Sequence, residues 1–88
     1  MLPAGRAIKT MAEKTKEAAR QWIESGKPCM YRYGYAYKGA HARNISREKA
    51  LELLPQYSFG MGFYELYYQT VNGHEVLMFN EYSENDLL

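Results

Sequence analysis

Asn72-Gly73 lies between two runs, 63–71 and 74–82, that are rich in aromatic and branched side chains. An Asn-Gly pair supplies the two positive-φ positions of a type I′ turn, the strongest two-residue signal for a β-hairpin. Setting Val71 opposite His74 fixes every other pair. One face then carries Tyr64, Leu66, Tyr68, Leu77 and Phe79, with Glu75 and Glu81 near its ends. The other carries Phe63, Tyr67, Val71, Val76, Met78 and Tyr82, with Glu65 and Asn80. Neither face is plainly polar, whereas a sheet wet on one side alternates more cleanly.

A second stretch changes period in the same way. From Cys29 to Lys38, Tyr31, Tyr33, Tyr35 and Tyr37 alternate with Arg32, Gly34, Ala36 and Lys38. In a strand this puts four rings on one face. Lys38-Gly39 reads as a tight turn and 41–45 as a short return strand, with Tyr35 facing Ala42 and Tyr33 facing Asn44. The competing reading makes 39–45 a loop.

Two helices complete the pattern. Thr10-Met11-Ala12-Glu13 has the form of a capping box, and the following good helix formers run to about Ser25. Ala12, Thr15, Ala18, Ala19, Trp22 and Ile23 recur at helical spacing, with Trp22 as the bulky anchor. Gly26 suits the C′ position and Pro28 blocks continuation. Ser46 is a good N-cap for a short leucine-bearing helix that Pro55 ends. The expected fold is therefore α+β. A three- or four-stranded, largely antiparallel sheet of two hairpins packs with one long N-terminal helix and one short helix. Residues 1–10 read as a loose N-terminal extension and 11–88 as a single domain, with Met11 a possible alternative start. The acidic tail ends in Leu87-Leu88, either as a last turn on the sheet or as a loose end.

With 88 residues, such a chain buries only about 60–65% of its unfolded surface, so it needs an efficient core, a partner or staples. Cys29 is the one cysteine, which rules out an intramolecular disulfide and fits a reducing, cytoplasmic setting. No apolar run approaches the roughly 18 residues of a membrane span, and residues 1–10 lack the apolar core of a secretory signal. All eleven Lys and Arg lie between Arg6 and Lys49, against four Glu there, while six acidic residues and no basic one follow Lys49. This partition marks either a polyanion-binding face or acidic strands lying beside basic ones in one folded unit.

Catalytic and metal chemistry find no constellation. Cys29, His41 and His74 are widely spaced, which gives no metal-ligand motif, and Cys29 begins a strand rather than a helix, where its pKa would fall. Glu65 and Glu81 fall on opposite faces of the hairpin and do not flank one substrate. Gly60-Met61-Gly62 precedes a strand, unlike a phosphate loop. No cofactor is expected, and the chain reads as non-enzymatic.

Association is the expectation that remains. Both helices on one face would leave Phe63, Tyr67, Val76, Met78 and Tyr82 as an interface, in a homodimer or with another protein. Helices on opposite faces would need no partner. The alternative is single-stranded nucleic-acid binding, with Tyr31, Tyr33 and Tyr35 stacking bases beside Arg43 and Arg47. Against it, alternation places Arg32 and Lys38 on the face opposite the rings, and no RNP sequence or GXXG clamp occurs. Exposure of the Tyr31–Tyr37 rings decides between these readings.

Overall fold

A computed structural model describes residues 13–60 and 62–87. Helix α1 spans Lys16–Glu24, α2 Arg47–Leu53 and α3 Glu84–Leu87. The strands are β1 Cys29–Tyr33, β2 Ala42–Asn44, β3 Ser58–Phe59, β4 Tyr64–Val71 and β5 His74–Glu81. They form one mixed sheet in the order β2-β1-β5-β4-β3. Pairs β1–β2 and β4–β5 are antiparallel, whereas β1–β5 and β3–β4 are parallel.

This overturns the expected sheet. It has five strands rather than three or four, and it is mixed rather than largely antiparallel. The two predicted hairpins do not stand as separate units, because β1 inserts beside β5 as its parallel neighbour. The long N-terminal helix is also corrected. Helix α1 starts after Thr15, whose side chain accepts from the Ala18 N–H at 3.1 Å; Thr10 and residues 1–12 lie outside the described residues.

Local signals act where they were read. Helix α1 closes in a Schellman arrangement, with Gly26 N–H on Ile23 O at 3.0 Å and Lys27 N–H on Trp22 O at 3.3 Å. Gly26 takes φ +80° there, which costs glycine least. Ser46 caps α2 through Lys49 N–H at 3.0 Å, and Pro55 turns the helix end into a 3₁₀ turn over Leu54–Gln56. Val71 pairs with His74 across Asn72-Gly73, both at positive φ, and the hairpin register follows as read.

The tyrosine ladder does not extend past Tyr33. Gly34 adopts φ +92° and donates to Glu81 O at 2.7 Å, which ends the alternation. A 3₁₀ turn over Ala36–Lys38 follows. The return strand is shorter than predicted, and its register differs: Met30 faces Asn44, Tyr31 faces Arg43 and Arg32 faces Ala42. Tyr35 belongs to the loop, where it packs on Tyr82 and Tyr37 at ring separations of 4.6 and 5.1 Å.

Both α1 and α2 lie on the face made by Cys29, Tyr31, Leu66, Tyr68, Leu77 and Phe79. Ala19, Ile23, Ala50 and Leu54 meet Cys29, Leu66, Leu77 and Phe79 in one buried cluster. Tyr57, just after the 3₁₀ turn, stands edge-on to Phe79 and to Tyr64 at 5.2 and 5.3 Å. Trp22 is half-buried; its indole N–H donates to Pro28 O at 2.8 Å, which ties the helix end to the start of β1.

The other face is organised by a buried cation. Arg32 reaches from β1 across β5 to β4, donating to Tyr67 Oη at 2.7 Å, Gln69 Oε1 at 3.1 Å and Asn80 Oδ1 at 3.5 Å. Asn80 is buried and also receives Tyr67 O–H, while its amide donates to Gly34 O at 3.1 Å and Arg32 O at 3.3 Å. Neutral oxygens thus receive the two terminal nitrogens of the Arg32 guanidinium, while its Nε has no partner among the described residues. Removing one of those oxygens leaves buried donors unpaired, at about 1–3 kcal/mol each. Asn80→Ala is accordingly expected to lower the unfolding free energy by about 3 kcal/mol or more, and Gln69→Ala by less, in urea titrations.

Candidate functional site

Where α2 and its 3₁₀ turn overhang the end of the sheet, they leave a cleft of about 300 Å³. Its floor crosses the sheet from Arg43 on β2 through Tyr31 on β1 and Glu81 on β5 to Tyr64 on β4. These side chains share the helix-bearing face because each is in register with the next or one pleat removed. Lys49 and Leu53 come from α2, Gln56 and Tyr57 from the turn after it, and Ile45 from the approach to α2. Ser46 caps α2, the helix that supplies the upper wall.

Tyr31 Oη donates to Glu81 Oε1 at 2.8 Å, and the Arg43 guanidinium lies over the Tyr31 ring, 4.9 Å from its centre. Burial, then the bond to the Glu81 carboxylate and its charge, raise the Tyr31 pKa well above the usual phenol value. Burial and the Glu81 charge push Tyr57 up to about 12. Both phenols stay protonated at neutral pH, which suits them to donating hydrogen bonds. Glu81 Oε2 and the Tyr57 and Tyr64 hydroxyls have no hydrogen-bond partner among the described residues. The cleft thus offers one carboxylate oxygen and two phenols, with cations at its rim and Ile45 and Leu53 on its side. Lys49 is partly engaged by Glu52 at 3.7 Å.

Of the residues singled out for nucleic-acid stacking, the fold brings Tyr31 and Arg43 together and separates the others. Tyr33 shares the face of Tyr31 and is 52% exposed. Tyr35 lies in the loop against Tyr82, and Arg47 donates to Glu24 O at 3.3 Å, at the carbonyl end of α1. The candidate interface set lies on or beside the second sheet face. Val76, Met78 and Tyr82 are buried, Tyr67 is half-buried beneath Arg32, and Phe63 is exposed. The Tyr82 hydroxyl donates to Glu65 Oε1 at 2.9 Å.

Cys29 is buried, its thiol pushed up to about 11 by burial and its S–H 3.6 Å from Lys27 O. His41 and His74 are exposed. Among the described residues, no three His, Cys, Asp or Glu side chains gather closely enough to hold a metal ion. No described helix is long and apolar enough to cross a membrane.

Ile45, Lys49, Leu53, Gln56, Tyr57, Tyr64 and Glu81 were not read as site residues. The hairpin register does place Tyr64 opposite Glu81. Nothing local, however, indicates that α2 overhangs that pair. Comparison with family models, curated proteins and solved structures gives no match.

Two outcomes follow from the protonation states. A phenol whose pKa is higher folded than unfolded stabilises the fold fully below the unfolded value, near 10, and loses that contribution as pH rises through the folded value. Unfolding free energy is therefore expected to fall from about pH 10 to about 12, and to fall less steeply in Tyr57→Phe, in urea titrations across that range. Cys29 is expected to resist iodoacetamide in the native chain and to react fully once unfolded, as mass spectrometry would register.

Proposed function

We propose that this chain is a non-enzymatic protein-recognition domain that adds an extended segment of another protein to the edge of its sheet at β2. The observation that carries the reading is an edge strand, paired on its outer side with no other described strand, that runs directly beside a preformed cleft. Ile45 N–H bonds Cys29 O at 3.1 Å, so Cys29 and Ile45 form a hydrogen-bonded pair. Antiparallel pairs alternate, which makes Tyr31–Arg43 the next such pair and turns the backbone groups of Ala42 and Asn44 outward. Asn44 is exposed and Ala42 half-buried. A strand added there would bond to those groups, and its residue opposite Arg43 would stand over the cleft. Backbone pairing would supply affinity and the cleft selectivity.

Self-association through the second face is less well supported, because Val76, Met78 and Tyr82 are already buried within the chain. Base stacking is likewise less well supported. The Tyr31 ring carries the Arg43 guanidinium, and Tyr35 and Arg47 are engaged elsewhere.

A displayed library of random peptides provides the test. Selected binders are expected to slow hydrogen exchange at the Ala42 and Asn44 amides and to lose binding to Asn44→Pro, which removes an outward N–H but no inward pair. Binders that leave both amides unprotected and bind the proline variant equally would overturn the reading. Sedimentation of the unliganded chain as a dimer whose mass is sensitive to Asn44→Pro would instead make a second copy the occupant.

A further inference from the structure

Tyr31 stands between two opposite charges that do not meet. Glu81 accepts from its hydroxyl at 2.8 Å and Arg43 covers its ring at 4.9 Å. Neither group joins the other in an ion pair; the ion pairs among the described residues are Lys38–Asp86 and Lys49–Glu52. The aromatic ring works as a spacer, holding acid and base apart within one concavity.

Such an arrangement leaves polar capacity that the fold itself does not use. Glu81 is half-buried, and one of its oxygens, like the Tyr57 and Tyr64 hydroxyls that line the same cleft, has no hydrogen-bond partner among the described residues. A ligand ammonium is the group that complements the remaining carboxylate oxygen, by charge and by its donors. The same ammonium can use the phenol oxygens as further acceptors. On the other side of Tyr31, the Arg43 fork and the Lys49 ammonium offer a carboxylate charge-assisted bonds. Ile45 and Leu53 give the cleft an aliphatic flank. A volume of about 300 Å³ is at the lower end for small-molecule sites, which matches a ligand of amino-acid size rather than a nucleotide.

We infer that the cleft binds a small zwitterion, an aliphatic α-amino acid whose ammonium meets Glu81 and whose carboxylate meets Arg43 and Lys49. Neither charge alone satisfies the site. A simple anion leaves Glu81 unpaired and close to a like charge, whereas a simple amine meets Glu81 but leaves the cations of the rim unused. This site goes beyond strand addition at β2 and stands if that reading fails, since no outward backbone group of β2 takes part.

Three probes titrated into the full chain decide the matter: norleucine, pentylamine and hexanoate. Binding is followed by NMR shifts of the Tyr57 and Tyr64 rings. Norleucine is expected to bind about tenfold more tightly, or better, than either half-probe, the factor set by one charge-assisted hydrogen bond. Glu81→Gln, which keeps an acceptor for Tyr31, is expected to reduce norleucine to the affinity of hexanoate. Arg43→Met is expected to reduce it towards that of pentylamine. Asn44→Pro is expected to leave all three unchanged, which separates this site from the strand edge. If either half-probe binds as tightly as norleucine, if no probe saturates, or if Glu81→Gln leaves norleucine unaffected, the inference falls. The ranking of probes on the native chain decides the question even if a variant fails to fold.

Discussion

Parallel pairing of β1 with β5 unites the two halves of this chain. It joins Cys29–Tyr33 to residues 77–81 and places the first helix, the short return strand and α2 around the C-terminal hairpin. Without it the chain would be a hairpin with apolar residues on both faces and no continuous core. Asn80 reinforces the pairing by holding the carbonyls of Arg32 and Gly34, and Gly34 closes it with a bond to Glu81 O. The turn at Gly34 follows from this closure. Once β1 is fixed against β5, the chain leaves the sheet there, at a residue that tolerates φ +92°.

The two faces of the sheet then solve different problems. One buries Leu66, Leu77 and Phe79 under α1 and α2 by apolar contact. The other holds a cation among neutral oxygens, with Arg32 spanning three strands to reach Tyr67 and Gln69. A guanidinium can accept that role because its planar fork presents several donors in fixed directions. The cleft arises where the first solution runs out. Tyr57 fills the space beside Phe79, and beyond it Tyr31, Tyr64 and Glu81 line the cleft together with Lys49 and Leu53 of α2.

The uneven charge along the chain takes on local meaning in this arrangement. Basic and acidic stretches become neighbours across β1 and β5, and Lys38 meets Asp86 at 3.4 Å near the end of the sheet. Inside the cleft, Arg43 from the basic stretch and Glu81 from the acidic one lie on either side of Tyr31. The polarity of the cleft is thus a consequence of strand order. If β5 had another neighbour, Glu81 would have no aromatic spacer and no guanidinium nearby.

Features that depend on residues close in the chain are legible before folding. Asn72-Gly73 set the hairpin and its register, and with it the opposite faces of Glu65 and Glu81. Ser46 and Gly26 marked helix ends, and Pro55 broke α2, because caps and breakers act through backbone groups a few residues away. Alternation also found β1, but period two carries no information about where a strand stops, so four tyrosines read as one ladder although Gly34 divides them. Helical spacing put Thr15 on the apolar stripe, whereas it caps α1. The parallel union of β1 with β5, the fifth strand at Ser58–Phe59 and the shared face of α1 and α2 emerge only in the folded chain. The cleft needed the first of these above all, since Tyr31 and Glu81 meet across a separation of 50 residues. Contacts of that range follow from how side-chain volumes fill a common core, a property of the assembled chain rather than of any segment within it.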